Sequence, residues 1–143
     1  MCPSLMDKYK RTYGFSLLEL IIVVVIIGVL AAVAVPIYHK NIENAKRTEA
    51  VAGIGEIRQQ LFISYGVNGS YPVAETFTRV IGADWNDIKP GELDGTYFSD
   101  ADYRYRSYDG IAYRIKCKKA GVLEKNVWLD EAGHWKYDVL DED

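Results

Sequence analysis

The stretch from residue 15 to residue 35 constrains this chain more than any other feature: fifteen of its 21 residues are Leu, Ile, Val or Phe, and Glu19 alone is charged. At about −0.3 to −0.6 kcal/mol each, those fifteen favour bilayer insertion by about 5 to 9 kcal/mol, whereas a mid-membrane acid costs about 2.5 to 3.5 kcal/mol. Insertion wins. A helix of this length rises about 32 Å, the thickness of a hydrocarbon core. The run tolerates Glu19 but gives no reason for it, and an intramembrane carboxylate points to a functional role with a partner to be found.

With 143 residues, the chain has room for one small domain besides this element. No second run of comparable length follows. The first 14 residues carry Lys8, Lys10 and Arg11 against Asp7, a net +2, and removing them leaves 14 basic and 19 acidic residues, a net −5. Positive flanks stay cytoplasmic, so the N-terminus is expected to face inward and the rest to emerge on the far side. A net −5 carries no basic footprint for nucleic acid. The two cysteines, Cys2 and Cys117, then fall on opposite sides of the membrane, and Cys117 is expected to be an unpaired, buried small hydrophobe.

Three readings of the N-terminus compete. A secretory signal would use Ala32-Val33-Ala34 as its small-residue cleavage site, but the apolar run exceeds the usual 7 to 15 residues and contains an acid. A plain one-pass anchor leaves Glu19 and the abrupt Gly14-Phe15 junction unexplained. The third reading uses every residue there. Through Gly14-Phe15-Ser16-Leu17-Leu18-Glu19 and the apolar run that follows, the chain resembles the type IV filament family, the type IV pilins and type II secretion pseudopilins. The resemblance implies that a prepilin peptidase cuts after Gly14 on the cytoplasmic side and methylates the new amine of Phe15.

Such a cut creates an α-amino cation at Phe15, and a carboxylate four residues along a helix lies on the same face, where the helix N-terminus also favours an anion. In the family version, Glu19 meets the Phe15 amine of a neighbouring subunit and so sets axial register. Subunits that slip leave a charge unmatched in hydrocarbon. Gly28, with Ala31, Ala32 and Ala34, puts small residues where helix backbones can approach closely. The resemblance further implies that these apolar halves pack together as a filament core after leaving the bilayer.

Pro36 removes one backbone donor and crowds the carbonyl of Ala32, which predicts a kink or loosened turn over residues 28–36 rather than an end. Beyond it, Ala50, Ile54, Ile57 and Leu61 recur at helical spacing, with Lys40, Glu43, Lys46, Arg47 and Glu49 as a mixed charged surface. One helix over residues 15–64 is expected, about 75 Å long, its hydrophobic first half projecting and its second half packed on the head. Glycine-rich turn residues 66–72 close it, and within them Asn68-Gly69-Ser70 is formally a glycosylation sequon. Residues 74–102 show no clear periodicity.

Two hairpins are legible beyond that. Ile111, Tyr113, Ile115 and Cys117 alternate with polar residues, and a three-residue loop of Tyr108, Asp109 and Gly110 would align Tyr105 with Tyr113 and Tyr103 with Ile115, leaving Arg104 opposite Arg114. The second hairpin has a loop of Glu131, Ala132 and Gly133, pairing Val127 with Tyr137 and Leu129 with Trp135. Trp128 then sits opposite Lys136, as a cation–aromatic contact or an inter-subunit patch. Four strands covered by the Ala50–Leu61 stripe give a pilin-like α+β fold with a small antiparallel sheet.

Catalysis finds little support. His39 and His134 lack zinc spacing, and neither a phosphate-cradling loop nor Gly-x-Ser-x-Gly occurs. Asp84, Asp87, Glu92, Asp94, Asp100 and Asp102 suggest a calcium site or, more simply, a solvated acidic surface, since the EF-hand spacing is absent. The expected organisation is a removed leader (1–14), a transmembrane and filament-core helix (15–35), the packed helix half (36–64) and a globular head (65–143). The expected function is a structural subunit of a type IV pilus-like filament; the alternatives are a type II secretion major pseudopilin and an anchored binding module that does not polymerise. Cleavage and N-methylation fall to Gly14 and Phe15, and assembly to Phe15, Glu19, Gly28 and Pro36. The partners are other copies of the chain, a prepilin peptidase and inner-membrane assembly machinery, with no cofactor, metal or nucleic acid expected. The location is the bacterial inner membrane, single-pass with the N-terminus cytoplasmic, then a periplasmic or extracellular filament.

Overall fold

A computed structural model describes residues 14–138; most of the expected leader, Cys2 included, lies outside them. The chain divides into two compact units at His39 and Lys40. A single helix, α1 (Leu17–Asn68), contributes to both. In the first unit every side chain from residue 14 to residue 39 is exposed, and the helix assignment continues through Pro36 without a break. Among the described residues, α1 is the one helix long and apolar enough to cross a membrane.

The second unit is an α+β layer structure. Strands β1 (Ala74–Arg79), β2 (Tyr103–Ser107), β3 (Arg114–Cys117), β4 (Asn126–Asp130) and β5 (Trp135–Asp138) form one antiparallel sheet in sequence order. The helical stripe is as expected: Ala50, Ile54, Ile57 and Leu61 are fully buried. They pack in one core with Tyr103, Tyr105, Ile115, Cys117, Val127 and Leu129 from the sheet. Burying each large aliphatic chain here is worth about 1.5–3 kcal/mol.

Helix α1 ends four residues later than the expected Ser64. Gly66 costs about 1 kcal/mol inside a helix, but the chain stops only where Gly69 takes φ +72° and its N–H donates to the Tyr65 carbonyl at 2.8 Å. Asn68 Nδ2 also donates to Ser64 Oγ at 3.3 Å, tying the last turn together.

Among the described residues the sheet has five strands, not four, because β1 lies in the stretch that showed no periodicity. It is an edge strand whose register shifts between Ala74 and Thr78. The irregularity leaves only Ala74 and Phe77 half-buried, so no alternation of apolar residues marks it in the sequence.

The β4–β5 hairpin has the expected register, Val127 opposite Tyr137 and Leu129 opposite Trp135. Its loop closes with Gly133 at φ +85°. The β2–β3 hairpin is corrected by two residues: Tyr105 pairs with Ile115 and Tyr103 with Cys117, so Arg104 faces Lys116 and it is Arg106 that faces Arg114. Local side-chain bonds enlarge the loop. Asp109 Oδ1 accepts the N–H groups of Ile111 and Ala112 at 2.9 and 3.0 Å, while Ser107 Oγ donates to the Ala112 carbonyl at 2.7 Å and accepts from the Gly110 N–H at 3.1 Å. Ile111, expected in the strand, is left exposed.

The segment between β1 and β2 is ordered by carboxylates. Glu49, taken from the sequence as part of a charged surface, instead accepts the N–H groups of Thr96, Tyr97 and Phe98 at 3.1, 2.8 and 2.8 Å. This pins the segment to α1.

Candidate functional site

The residues singled out around the N-terminal junction all lie in the first unit. Gly14 and Phe15 precede the helix, with Phe15 77% exposed. Ser16 takes the N-cap position and Glu19 the third helical position. The Glu19 N–H donates to Ser16 Oγ at 3.2 Å and the Ser16 N–H to a Glu19 carboxylate oxygen at 3.2 Å. This reciprocal pair satisfies two orphan donors of the helix start. Sequence reasoning missed Ser16 as the partner of Glu19, although Ser-x-x-Glu before an apolar run is the signature of such a cap.

Glu19 is therefore held on the first turn, where the helix dipole favours its charge. It shares that end of the helix with the backbone of Phe15, one residue before the cap. Gly28 faces open space: a Cβ built there meets nothing within 4 Å. Ala31, Ala32 and Ala34 are exposed as well, which leaves a shallow side where another helix can come close. Pro36 lies inside α1 and has no N–H to give the Ala32 carbonyl. The surface of this unit is thus a helix of large apolar side chains, with one capped carboxylate at its start and small residues farther along.

Chemistry elsewhere is sparse. Among the described residues, no three His, Cys, Asp or Glu side chains gather to hold a metal ion. Four of the six acids flagged for calcium serve the backbone: Asp100 accepts from the N–H groups of Gly91 and Leu93 at 2.6 and 3.1 Å, Asp94 from Asp100 at 2.8 Å, and Glu92 from Lys89 at 2.9 Å. Asp102 accepts from the Ser99 N–H at 2.8 Å and lies 3.6 Å from Lys119 Nζ. His39 has the Tyr38 ring beside it and His134 sits 3.3 Å from Asp130, so the two histidines belong to different units. Cys117 is a free, buried thiol, as expected. Burial pushes its pKa up to about 12, far from a reactive thiolate. On the outer sheet face Lys136 Nζ lies 4.6 Å from the Trp128 ring centroid, the first of the two arrangements expected for that pair.

A long apolar N-terminal helix and a five-stranded antiparallel sheet define a pilin-like chain. Residues 9–35 match the model of the prokaryotic N-terminal methylation motif, a window that contains Gly14, Phe15, Glu19 and Gly28. The homologues are type II secretion and type IV pilus proteins. The chain is 41% identical over 66 residues to the type II secretion system core protein G of Dickeya chrysanthemi, covering 46% of this chain and 43% of that protein. It is 31% identical over 126 residues to the type IV major pilin protein PilE1 of Neisseria gonorrhoeae, covering 87% and 56% respectively. A fimbrial protein of Neisseria meningitidis is 39% identical over 77 residues, covering 53% and 44%. The chain spans about half the length of the relatives it matches.

Proposed function

We propose that this chain is a structural subunit of a type IV pilus-like filament, made as an inner-membrane precursor with its N-terminus in the cytoplasm. A prepilin peptidase cleaves after Gly14 and methylates Phe15, and copies polymerise through the apolar half of α1. One observation carries this reading: the methylation motif coincides with the start of a helix whose apolar side chains are all exposed as far as residue 39. Exposed apolar surface on this scale needs lipid or other copies of itself. In the polymer, Glu19 leaves its cap to neutralise the Phe15 amine of a neighbouring subunit, and Gly28 and Pro36 shape the helix contacts. No catalytic residue is assigned.

Mass spectrometry of the exported form tests this. The expected polypeptide begins at a methylated Phe15. A start after Ala34 would mean an ordinary secretory signal, and an uncut chain an anchored module; either outcome removes the filament reading. A second reading, a type II secretion major pseudopilin, is favoured by the core protein G relatives and by the unpaired Cys117, because among the described residues no disulfide closes the C-terminal region. Shearing cells separates the two, since long pili come off abundantly and short secretion filaments do not.

A further inference from the structure

Arg106 and Arg114 stand directly opposite one another in the β2–β3 pair. Among the described residues neither guanidinium has a hydrogen bond or an ion pair. Like charges in opposed positions weaken a strand pair. Asp130, next to Arg114 in register, does not relieve them, because it accepts the His134 N–H at 2.8 Å and lies 3.3 Å from the His134 ring. Rings attend the two cations instead. The Arg106 guanidinium lies 4.5 Å from the Phe77 ring centroid and 4.6 Å from that of Tyr108, and Arg114 lies 5.3 Å from that of Trp128. Such contacts hold a cation in place but leave its N–H donors without an oxygen acceptor.

Arg106 is only 7% exposed. With Arg114 it lines a cavity of about 190 Å³ at the end of the sheet, where Tyr108 and Ala112 of the β2–β3 loop come beside Glu131 of the β4–β5 loop. Sites for drug-sized molecules run from about 300 to 1,000 Å³, so this one takes a smaller group. Ser107 also lines it, but its hydroxyl is occupied by the Ala112 carbonyl and the Gly110 N–H. Two arginines against one glutamate leave the wall with a single excess positive charge.

We propose that this cavity binds one small carboxylate, held by Arg106 and Arg114 together. The planar fork of a guanidinium matches the two oxygens of a carboxylate. One such anion separates the like charges and supplies the missing acceptors. Glu131 sets the limit on charge. A phosphate dianion or a run of acids brings further negative charge against it, whereas a single carboxylate leaves the wall neutral. The acid comes as a free small molecule or as the terminus of a peptide, the same group chemically. The proposal does not depend on the filament reading.

The test follows backbone amide shifts of the isotope-labelled full chain in phosphatidylcholine nanodiscs. Acetate, N-acetyltriglycine, the C-terminal amide of that peptide and inorganic phosphate are each titrated to about 20 mM at constant ionic strength. Both acids should move the amides of Arg106, Tyr108, Ala112 and Arg114 saturably; the neutral amide should not, and phosphate should bind more weakly. Arg114→Gln should weaken binding of both acids about 10-fold or more, the loss of a hydrogen bond to a charged group. Glu131→Gln should tighten binding and bring phosphate up to the acids. Both positions are exposed, and circular dichroism checks that the variants fold; should Arg114→Gln not fold, Glu131→Gln decides. Tighter binding of the peptide than of acetate assigns the site to a chain terminus, and equal or weaker binding to a free acid; both uphold the proposal. The absence of saturable shifts with either acid, equal shifts with the neutral amide, or phosphate binding as tight as acetate in the wild type would overturn it. So would wild-type affinity in folded Arg114→Gln, or unchanged affinity for acetate and phosphate in Glu131→Gln.

Discussion

The Tyr103 ring lies so close to the backbone of Gly53 that a Cβ built there would sit 2.5 Å from the ring carbon Cζ. Glycine in mid-helix is intrinsically unfavourable by about 1 kcal/mol relative to alanine. Here it is what lets β2 approach α1. Gly53→Ala is expected to destabilise the second unit by about 1–3 kcal/mol, because Tyr103 is fully buried and has no room to retreat. Gly55, two residues on, has nothing within 4 Å of such a Cβ, so Gly55→Ala should be neutral or stabilise by up to about 1 kcal/mol. Thermal melts should show a lowered midpoint for Gly53→Ala and an unchanged or raised one for Gly55→Ala.

Glu49 holds three consecutive backbone N–H groups from across the domain. Hydrogen bonds to a charged group are worth about 1.5–3 kcal/mol, and these three share one side chain. Glu49→Ala should cost about 2–3 kcal/mol in denaturant unfolding and speed amide exchange at Tyr97 and Phe98. Glu49→Gln keeps an acceptor and should lose less. Unchanged exchange at both amides in the alanine variant would discount the pin.

In the proposed polymer, Glu19 exchanges its Ser16 partner for an amine. Glu19→Ala is expected to leave the protein in the membrane fraction, since removing a charge favours insertion, while filament yield drops. A normal yield of filaments from that variant would take Glu19 out of the assembly mechanism.

The β2–β3 loop should respond to acid. The backbone N–H groups of Ala112 and Ile111 hold the Asp109 carboxylate below its ordinary pKa of 3.8. A folded-state pKa that is lowered means the contribution to stability is fully present above 3.8 and is lost as pH falls through the lower, folded value. Below about pH 4 the amide resonances of Ile111 and Ala112 should shift and their exchange accelerate. Asp109→Asn should remove the pH dependence.

What could be read from the sequence follows from how local each signal is. The Ala50, Ile54, Ile57 and Leu61 stripe is a spacing within one helix, and the Gly133 hairpin is set by a three-residue loop, so both were legible. The β2–β3 register was not, because Ser107 and Asp109 divert backbone groups that a short loop would have left to the ladder. Strand β1 has an irregular register and an exposed edge, so it shows no alternation. The pin at Glu49 was invisible for a different reason: its donors lie 47 to 49 residues away in the chain. At the N-terminal junction the sequence carried nearly everything, including a Ser16 cap that went unread.

The two-residue offset in the β2–β3 hairpin changes every partner yet leaves Tyr103, Tyr105, Ile115 and Cys117 all pointing inward, because side chains alternate with period two. The head therefore has a built-in parity rule. Tips that grow or shrink there by an even count can be absorbed while the interior stays dry, whereas an odd insertion would swap tyrosines for arginines beneath the helix.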